Sequence, residues 1–502
     1  MTTPSAPSSE QPVGDRLLSN TGALLVARLA VAAMGWIGTV LISNTLSRTQ
    51  FGQFSLVFSV LGMLNIVTEL GIGRLAIAGV LDESRDRATF AGTYVLLRTT
   101  LGVIGYGVAL AFIALANYPP SVLRTMAVAG LVVLLATPSH AYNVAFQATL
   151  RMPQVAVGEV FGQMAQLALT IALIVHGGTL AWFAAPAVLC EIVILSFKRP
   201  RAARLIPFRY VIDTTIWWSL VREAVPISVG TALATVYYRL DSVMLSKLDT
   251  FESVAAYGIA YKFVDLAHFV STALSVPILT LLVKSWPDDL DRFRDGVRRG
   301  VSVLAVAATI VVAEIVVFAH QLMAFLYRKY VAAASATKVL VLAECVGYFG
   351  TFAFSILLAT GRHRRYPLIT AVGLVLNVVL NLLLIPHFSY RAAAADTLIT
   401  EIVVATLLWF VVWRLPGIHP LHIGRLARLP VALAAGAGSG LALRAVLPWP
   451  VAAAASTIIT IATIQLVHAA GPGNMLDALR ARPSAPPSSI APPPSPPSPP
   501  SP

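Results

Sequence analysis

Charge is what this chain has least of. Only 12% of its 502 residues are Asp, Glu, Lys or Arg, about half of the roughly 25% that covers a soluble domain. That deficit excludes a water-soluble globular enzyme. Cysteine is nearly absent: Cys190 and Cys345 both sit in apolar segments, which excludes a disulfide framework and any Cys-based metal spacing. There is no Walker motif, so ATP is not the expected energy source. Long polar connections are missing too, and with them room for an exported domain. The N-terminus "MTTPSAPSSEQPVGDRLLSN" has no early apolar core, so no cleavable signal peptide is expected and the first span serves as its own membrane signal.

What is present is hydrocarbon. Hydrophobic residues make up 57% of the chain and the mean hydropathy is +0.78. A spanning helix needs about 20 mostly apolar residues. By that rule the spans are 20–43, 52–72, 88–116, 123–146, 154–175, 178–197, 217–246, 253–283, 300–326, 332–359, 366–385, 391–413, 427–446 and 450–469. The fold class is therefore an all-α integral membrane protein of about 14 transmembrane helices.

Lys and Arg set the orientation. Connections on the side of the N-terminus carry 23 of them and the opposite side 7, which predicts cytoplasmic termini. The net charge of +13 is thus an orientation signal, and nucleic acid is excluded as a partner. The segment "KSWPDDLDRFRDGVRR" (284–299) reads as a short amphipathic helix capped by Asp288. The tail ending "APPPSPPSPPSP" favours an extended, disordered coil.

The chain also repeats itself. "LSRTQFGQFSLVFS" (46–59) corresponds to "LDTFESVAAYGIAYK" (248–262). "IVHGGTLAWFAAPAVLCEIV" (174–193) corresponds to "IPHFSYRAAAADTLITEIV" (385–403), ending on Glu191 and Glu401, and Pro153 and Pro367 each open a span. Duplicated bundles are a common transporter design. The expected organisation is a tail (1–14), a first six-helix lobe (15–198), a basic linker (199–215), a second six-helix lobe (216–414), two additional helices (415–470) and a Pro/Ser-rich tail (471–502).

"TLSRTQFGQFSLVFSVLGMLNIVTELGI" (45–72), "YRLDSVMLSKLDTFESVAAYGIAYKFVDL" (238–266) and "LNVVLNLLLIPHFSYRAAAADTLITEI" (376–402) resemble the bacterial polysaccharide flippases of the Wzx type. That family shares a superfamily with the lipid II flippases and the multidrug and toxin extrusion transporters. The resemblance covers about residues 15–470. It implies two lobes around a cavity that opens alternately to each side of the bacterial cytoplasmic membrane. It also implies an oligosaccharide cargo on polyprenyl pyrophosphate, membrane lipids as surroundings, and a polysaccharide polymerase or other assembly proteins as possible partners.

Such a cargo needs cations inside the membrane, because Arg and Lys replace water around phosphate oxygens. Charges at span centre cost at least about 2.5–3.5 kcal/mol each. Arg28 and Arg98 lie about ten residues into their spans, roughly 15 Å deep. Arg239 and Lys262 come from spans seven and eight; snorkelling competes with a binding role for both, and Asp265 stands at ion-pair spacing from Lys262. These four are the expected substrate-binding residues. Asp241, two residues from Arg239, points about 200° away from it. With Asn377 and Asn381 it offers oxygens to a coupling Na+, although amides at that spacing also serve as interhelical hydrogen-bond glue. Glu314 and Glu344 are the alternative proton or cation carriers. No cofactor, metal centre or catalytic residue is expected.

Other signals fail. "GIGRLA" (71–76) lacks the strand–helix context of a dinucleotide site, Asp289-x-Asp291 lacks a catalytic domain, and His419 and His422 lack further ligands. Two readings compete with a flippase. A drug/cation antiporter of the same superfamily usually has twelve spans and fewer central cations. A membrane-embedded glycosyltransferase or ligase needs acidic residues on a large outer loop, which this chain does not have.

Overall fold

A computed structural model describes residues 13–69, 71–415 and 427–467. The described residues are helical with short connections and no strand, as hydrocarbon demands of backbone that must satisfy its own hydrogen bonds. The first half runs α1 (Val13–Thr45), α2 (Arg48–Glu69), α3 (Ile72–Leu81), α4 (Arg87–Leu115), α5 (Pro120–Ala129), α6 (Leu131–Ala141), α7 (Asn143–Ala148), α8 (Met152–His176) and α9 (Ala185–Leu205). The second half runs α10 (Thr214–Leu248), α11 (Phe251–Ser285), α12 (Leu290–Leu326), α13 (Ala334–Ala359), α14 (Tyr366–Phe388) and α15 (Tyr390–Trp413), followed by α16 (Leu429–Leu443) and α17 (Trp449–Leu466). Among the described residues, ten stretches are long and apolar enough to cross a bilayer, one of them covering both α14 and α15.

The repeat is visible in the packing. α1 packs on α8 as α10 packs on α14, and α8 on α9 as α14 on α15; α4 meets α6 as α12 meets α13. The result is two pseudo-symmetric bundles, with α16 and α17 packed against α12 of the second. Pro153 and Pro367 each occupy the first turn of their helices, where the missing N–H costs nothing.

Two expectations are corrected. The second span stops at Glu69, because Gly71 adopts φ 64°, a left-handed conformation that glycine tolerates; α3 follows it. The fourth span stands, running Pro120–Ala148 through Gly130 and Tyr142, which keep right-handed helical dihedrals between α5, α6 and α7. The amphipathic segment is no separate helix: α12 runs unbroken from Leu290 and is capped by Asp289, not Asp288, whose side chain accepts from the Arg292 N–H at 2.9 Å. Buried Phe293, Val297, Gly300, Val301 and Leu304 carry one apolar stripe through both parts. The linker is helical as far as Leu205. Beyond it the chain lies on the start of α4, with Arg209 N–H donating to Ala88 C=O at 2.9 Å and Thr93 Oγ1 to Val211 C=O at 2.8 Å. His419, His422 and the Pro/Ser-rich tail lie outside the described residues.

α2 is the seam helix, packed along α10 and α11 of the other bundle. A Cβ on Gly52 would stand 1.8 Å from the Phe251 carbonyl oxygen, so only glycine permits this crossing. The bundles are locked together at this end, the face opposite the N-terminus. Lys329 Nζ donates to the Asn44 and Leu46 carbonyls at 2.6 and 2.9 Å, and Asn44 Nδ2 to Leu326 C=O at 2.9 Å. Tyr118 Oη meets Ser246 Oγ at 2.7 Å, and Lys247 sits 3.7 Å from the Tyr118 ring centre. Toward the N-terminal face α1 packs on α8 of its own bundle, leaving Arg28 exposed on α1 and His268 and Thr272 exposed on α11.

Candidate functional site

The puzzle of a spanning helix reading "YYRLDSVMLSK" (237–247) is answered by its partners. Over residues 237–241, α10 sends four polar side chains to different helices. Tyr237 Oη donates to Glu401 Oε1 on α15 at 2.9 Å, and Tyr238 Oη to Glu344 Oε2 on α13 at 3.1 Å. Arg239 reaches Asp265 on α11, Nη2 to Oδ1 3.6 Å. Asp241 turns the other way, as a two-residue helical offset requires.

Asp241 is 1% exposed and saturated with donors. Its Oδ1 accepts from Asn377 Nδ2 at 2.9 Å and Asn381 Nδ2 at 2.8 Å. Its Oδ2 accepts from Thr397 Oγ1 at 3.0 Å and from the Tyr257 hydroxyl. Asn377 Nδ2 also donates to Asp396 Oδ2 at 2.8 Å, and Thr400 Oγ1 to Asp396 Oδ1 at 3.2 Å. The expected trio is thus brought together, joined by Asp396, Thr397, Thr400 and Tyr257. The amide oxygens of Asn377 and Asn381 are buried without a partner among the described residues. Carboxylate, amide and hydroxyl oxygens are the types a hard cation binds, and here the Asp241 oxygens are taken by the side-chain donors.

Arg239 and Lys262 form a second group. Both pair with Asp265, Lys262 Nζ to Oδ2 at 3.7 Å, so the ion-pair spacing read from sequence is realised. The three side chains are 33%, 37% and 38% exposed although each lies within a long spanning helix. Arg239 Nε is 3.6 Å from the Cβ position of Gly62 on α2, so the cluster stands between the bundles, two cations against one carboxylate. Next to it, half-exposed His268 holds Glu344, Nδ1 to Oε1 2.8 Å.

The other expected residues lie elsewhere. Arg28 is exposed in the first bundle, within electrostatic reach of Lys198, whose Nζ is 4.0 Å from Glu159 Oε1. Arg98 is 2% exposed and donates to Thr68 C=O at 2.5 Å, closing the last turn of α2 rather than facing the space between the bundles. Glu314 accepts from Ser456 Oγ on α17 at 2.7 Å and joins no cluster with Asp241 or Glu344. Asp396 and Glu401 were visible as charges inside an apolar span, a signal sufficient to nominate them. Tyr257 and Tyr237 carried no such mark.

The family model for polysaccharide biosynthesis proteins matches residues 17–281, and the MatE model matches residues 226–383. No curated protein matches the sequence. Among solved structures, the lipid II flippase MurJ in an inward closed conformation superposes with TM-score 0.73 at 11% identity, over 91% of this chain and 99% of that one. An inward-facing multidrug resistance MATE family transporter of the MOP superfamily gives 0.64 at 16% identity, over 81% and 99%. A MOP superfamily transporter from Pyrococcus furiosus, titled for the reverse polarity of its binding pocket, gives 0.53 at 15%, over 81% and 94%. At these identities the likenesses establish the fold.

Proposed function

The chain belongs to the polysaccharide biosynthesis protein family, and from that premise we propose that it is a flippase moving oligosaccharides linked to polyprenyl pyrophosphate from the cytoplasmic to the outer leaflet. The observation that carries this reading is the half-exposed Arg239–Asp265–Lys262 cluster between the bundles. A pyrophosphate brings the negative charge that this cluster lacks. Arg239 and Lys262 bind it by charge-assisted hydrogen bonds, and Asp265 holds both cations in place while the site is empty of cargo. Arg28, exposed on α1, meets the anion on its way in. With both termini cytoplasmic, the locked face is the outer one, and cargo enters from the cytoplasmic leaflet of the bacterial inner membrane.

Asp241, Asn377, Asn381, Asp396 and Thr397 would hold a coupling Na+, which contributes a charge gradient as driving force. Glu344, held by His268 and Tyr238, is the alternative carrier for a proton. Arg239 and Asp241 share one helix two residues apart, so a shift of α10 on cation binding moves the cargo site with it.

In proteoliposomes given a fluorescent polyprenyl-pyrophosphate disaccharide, Arg239→Ala and Lys262→Ala should each lower affinity about ten- to a hundredfold, the effect of losing about 1.5–3 kcal/mol. Unchanged flipping in the double variant would eliminate this role. A cation-coupled antiporter for small molecules is the competing reading, favoured by the MatE match to the second bundle. It predicts efflux of organic cations that depends on Asp265 and Glu344, with no flipping of the lipid.

A further inference from the structure

Aromatic rings stand beside the charge cluster and along the seam between the bundles. Tyr261 meets Tyr238 edge-on at 5.1 Å, and the Arg239 guanidinium lies 5.7 Å from the Tyr261 ring centre. Across the seam, Trp36 of the first bundle packs edge-to-face on Phe263 and Tyr327 of the second, at 5.6 and 6.4 Å. At the locked face itself, Phe51 of the first bundle meets Tyr330 of the second at 5.8 Å.

These rings carry unusual polar tips. Tyr261, Tyr327 and Tyr330 are 5%, 0% and 3% exposed. Their hydroxyls, and Nε1 of Trp36, are buried without a hydrogen-bond partner among the described residues. Buried Tyr and Trp ordinarily find a partner for the polar tip, and phenylalanine would fill the same volume without a desolvated hydroxyl. Four such groups lie at or beside the seam between the bundles, and another state of the bundles can supply their partners. The geometry identifies that state: Trp36 and Phe51 are on one bundle and their ring partners on the other, so parting of the bundles bares Trp36, Tyr327 and Tyr330, while Tyr261 stands beside Arg239, which lies against Gly62 of the first bundle.

We propose that this seam is a carbohydrate subsite, in which Tyr261, Trp36, Tyr327 and Tyr330 take the sugar portion of the cargo as the locked face opens. The inference rests on the oligosaccharide reading above. Sugars match the surface on both counts: their C–H faces stack on aromatic rings, and their hydroxyls pair with the unpartnered tips. A hydrocarbon tail would leave those tips unpaired, and a phosphate belongs with the cations. A sugar that binds only the parted seam favours that state over the locked one, so the headgroup itself promotes opening on the side where it leaves.

The test uses the full-length protein in nanodiscs with two probes, bare polyprenyl diphosphate and polyprenyl diphosphate bearing chitobiose, binding being read by tryptophan fluorescence. The wild type should bind the sugar-bearing lipid about tenfold more tightly than the bare one, a difference of about 1.4 kcal/mol. Tyr261→Phe/Tyr327→Phe keeps both rings, and should bring that ratio close to one with affinity for the bare lipid unchanged. Trp36→Phe, read by thermal shift because it removes a fluorophore, should reduce the ratio as well. A wild-type ratio retained in the double variant overturns the subsite. If the wild type binds both lipids equally, the subsite falls and the cargo reading stands. If it binds neither, the cargo reading falls and takes the subsite with it.

Discussion

The two bundles share an architecture and differ in the sign of what they bury. Among the described side chains, the buried charged ones are Arg98 and Lys198 in the first and Asp241, Glu344, Asp396 and Glu401 in the second. Even positions matched by the repeat diverge. Glu401 accepts from Tyr237, whereas the buried Oε2 of Glu191 has no hydrogen-bond partner among the described residues and its neighbour is the Lys198 ammonium. A duplicated scaffold fixes where helices lie. Buried charge is free to vary within it, because each ion needs only its own local partners. The second bundle gathers carboxylate, amide and hydroxyl oxygens around Asp241, and the first sets its buried cations against a helix end and a carboxylate.

The largest expected effect tests the second bundle. Asp241→Leu strands the donors of Asn377, Asn381, Thr397 and Tyr257, at about 1–3 kcal/mol for each group left unpaired, and the protein should disappear from the membrane fraction. Asp241→Asn keeps the shape, and should leave abundance near wild type while abolishing dependence of transport on a Na+ gradient. Persistent Na+ dependence in that variant would break the assignment of coupling to this bundle.

Next comes Arg98 against Arg239. Arg98→Ala removes a charge-assisted bond to the end of α2, worth about 1.5–3 kcal/mol, and should lower the melting temperature without changing affinity for cargo. Arg239→Ala should do the reverse. Melting curves and lipid titrations on both variants decide between them, and a binding defect in the Arg98 variant would return it to the cargo path.

A smaller effect is expected at the Lys198–Glu159 pair. Replacing one partner of a buried pair strands the other, but replacing both with neutral groups is often neutral or stabilising. Lys198→Met alone should therefore melt lower than Lys198→Met combined with Glu159→Gln. Equal melting of the two would show that the 4.0 Å pair is no structural unit.

The smallest belongs to the cap of α4, outside the membrane. The Thr89 hydroxyl and the Ala88 N–H donate to Asp86 and hold its carboxyl below the ordinary range. A carboxyl lowered on folding contributes stability above its unfolded pKa and loses it as pH falls through the folded value. The melting difference between wild type and Asp86→Ala should thus be present at pH 7 and shrink as the pH falls below the ordinary carboxylate range.

The helices were legible because twenty apolar residues in a row have one solution in lipid, and Pro153, Pro367 and the repeat gave the order. Breaks were less legible. Gly71 and Gly130 look alike in sequence, yet one bends the chain through a left-handed residue and the other does not. The Asp241–Asn377–Asn381 group was readable because rare polar residues in apolar spans must find one another. Tyr257 completes that group and was not, since a tyrosine fits an apolar helix without needing a reason.

Sequence alone determined that this chain crosses a membrane many times, in two related halves, with ionisable groups confined to a few helices; composition and period suffice for that. Only the tertiary structure decided what each ion does. Arg98 and Arg239 look equivalent along the chain, but one closes a helix end and the other stands open between the bundles. The reason is physical: an ion inside a membrane protein takes its role from whatever packs within about 4 Å of it, and those neighbours come from other helices, Thr68 of α2 for Arg98 and Asp265 of α11 for Arg239.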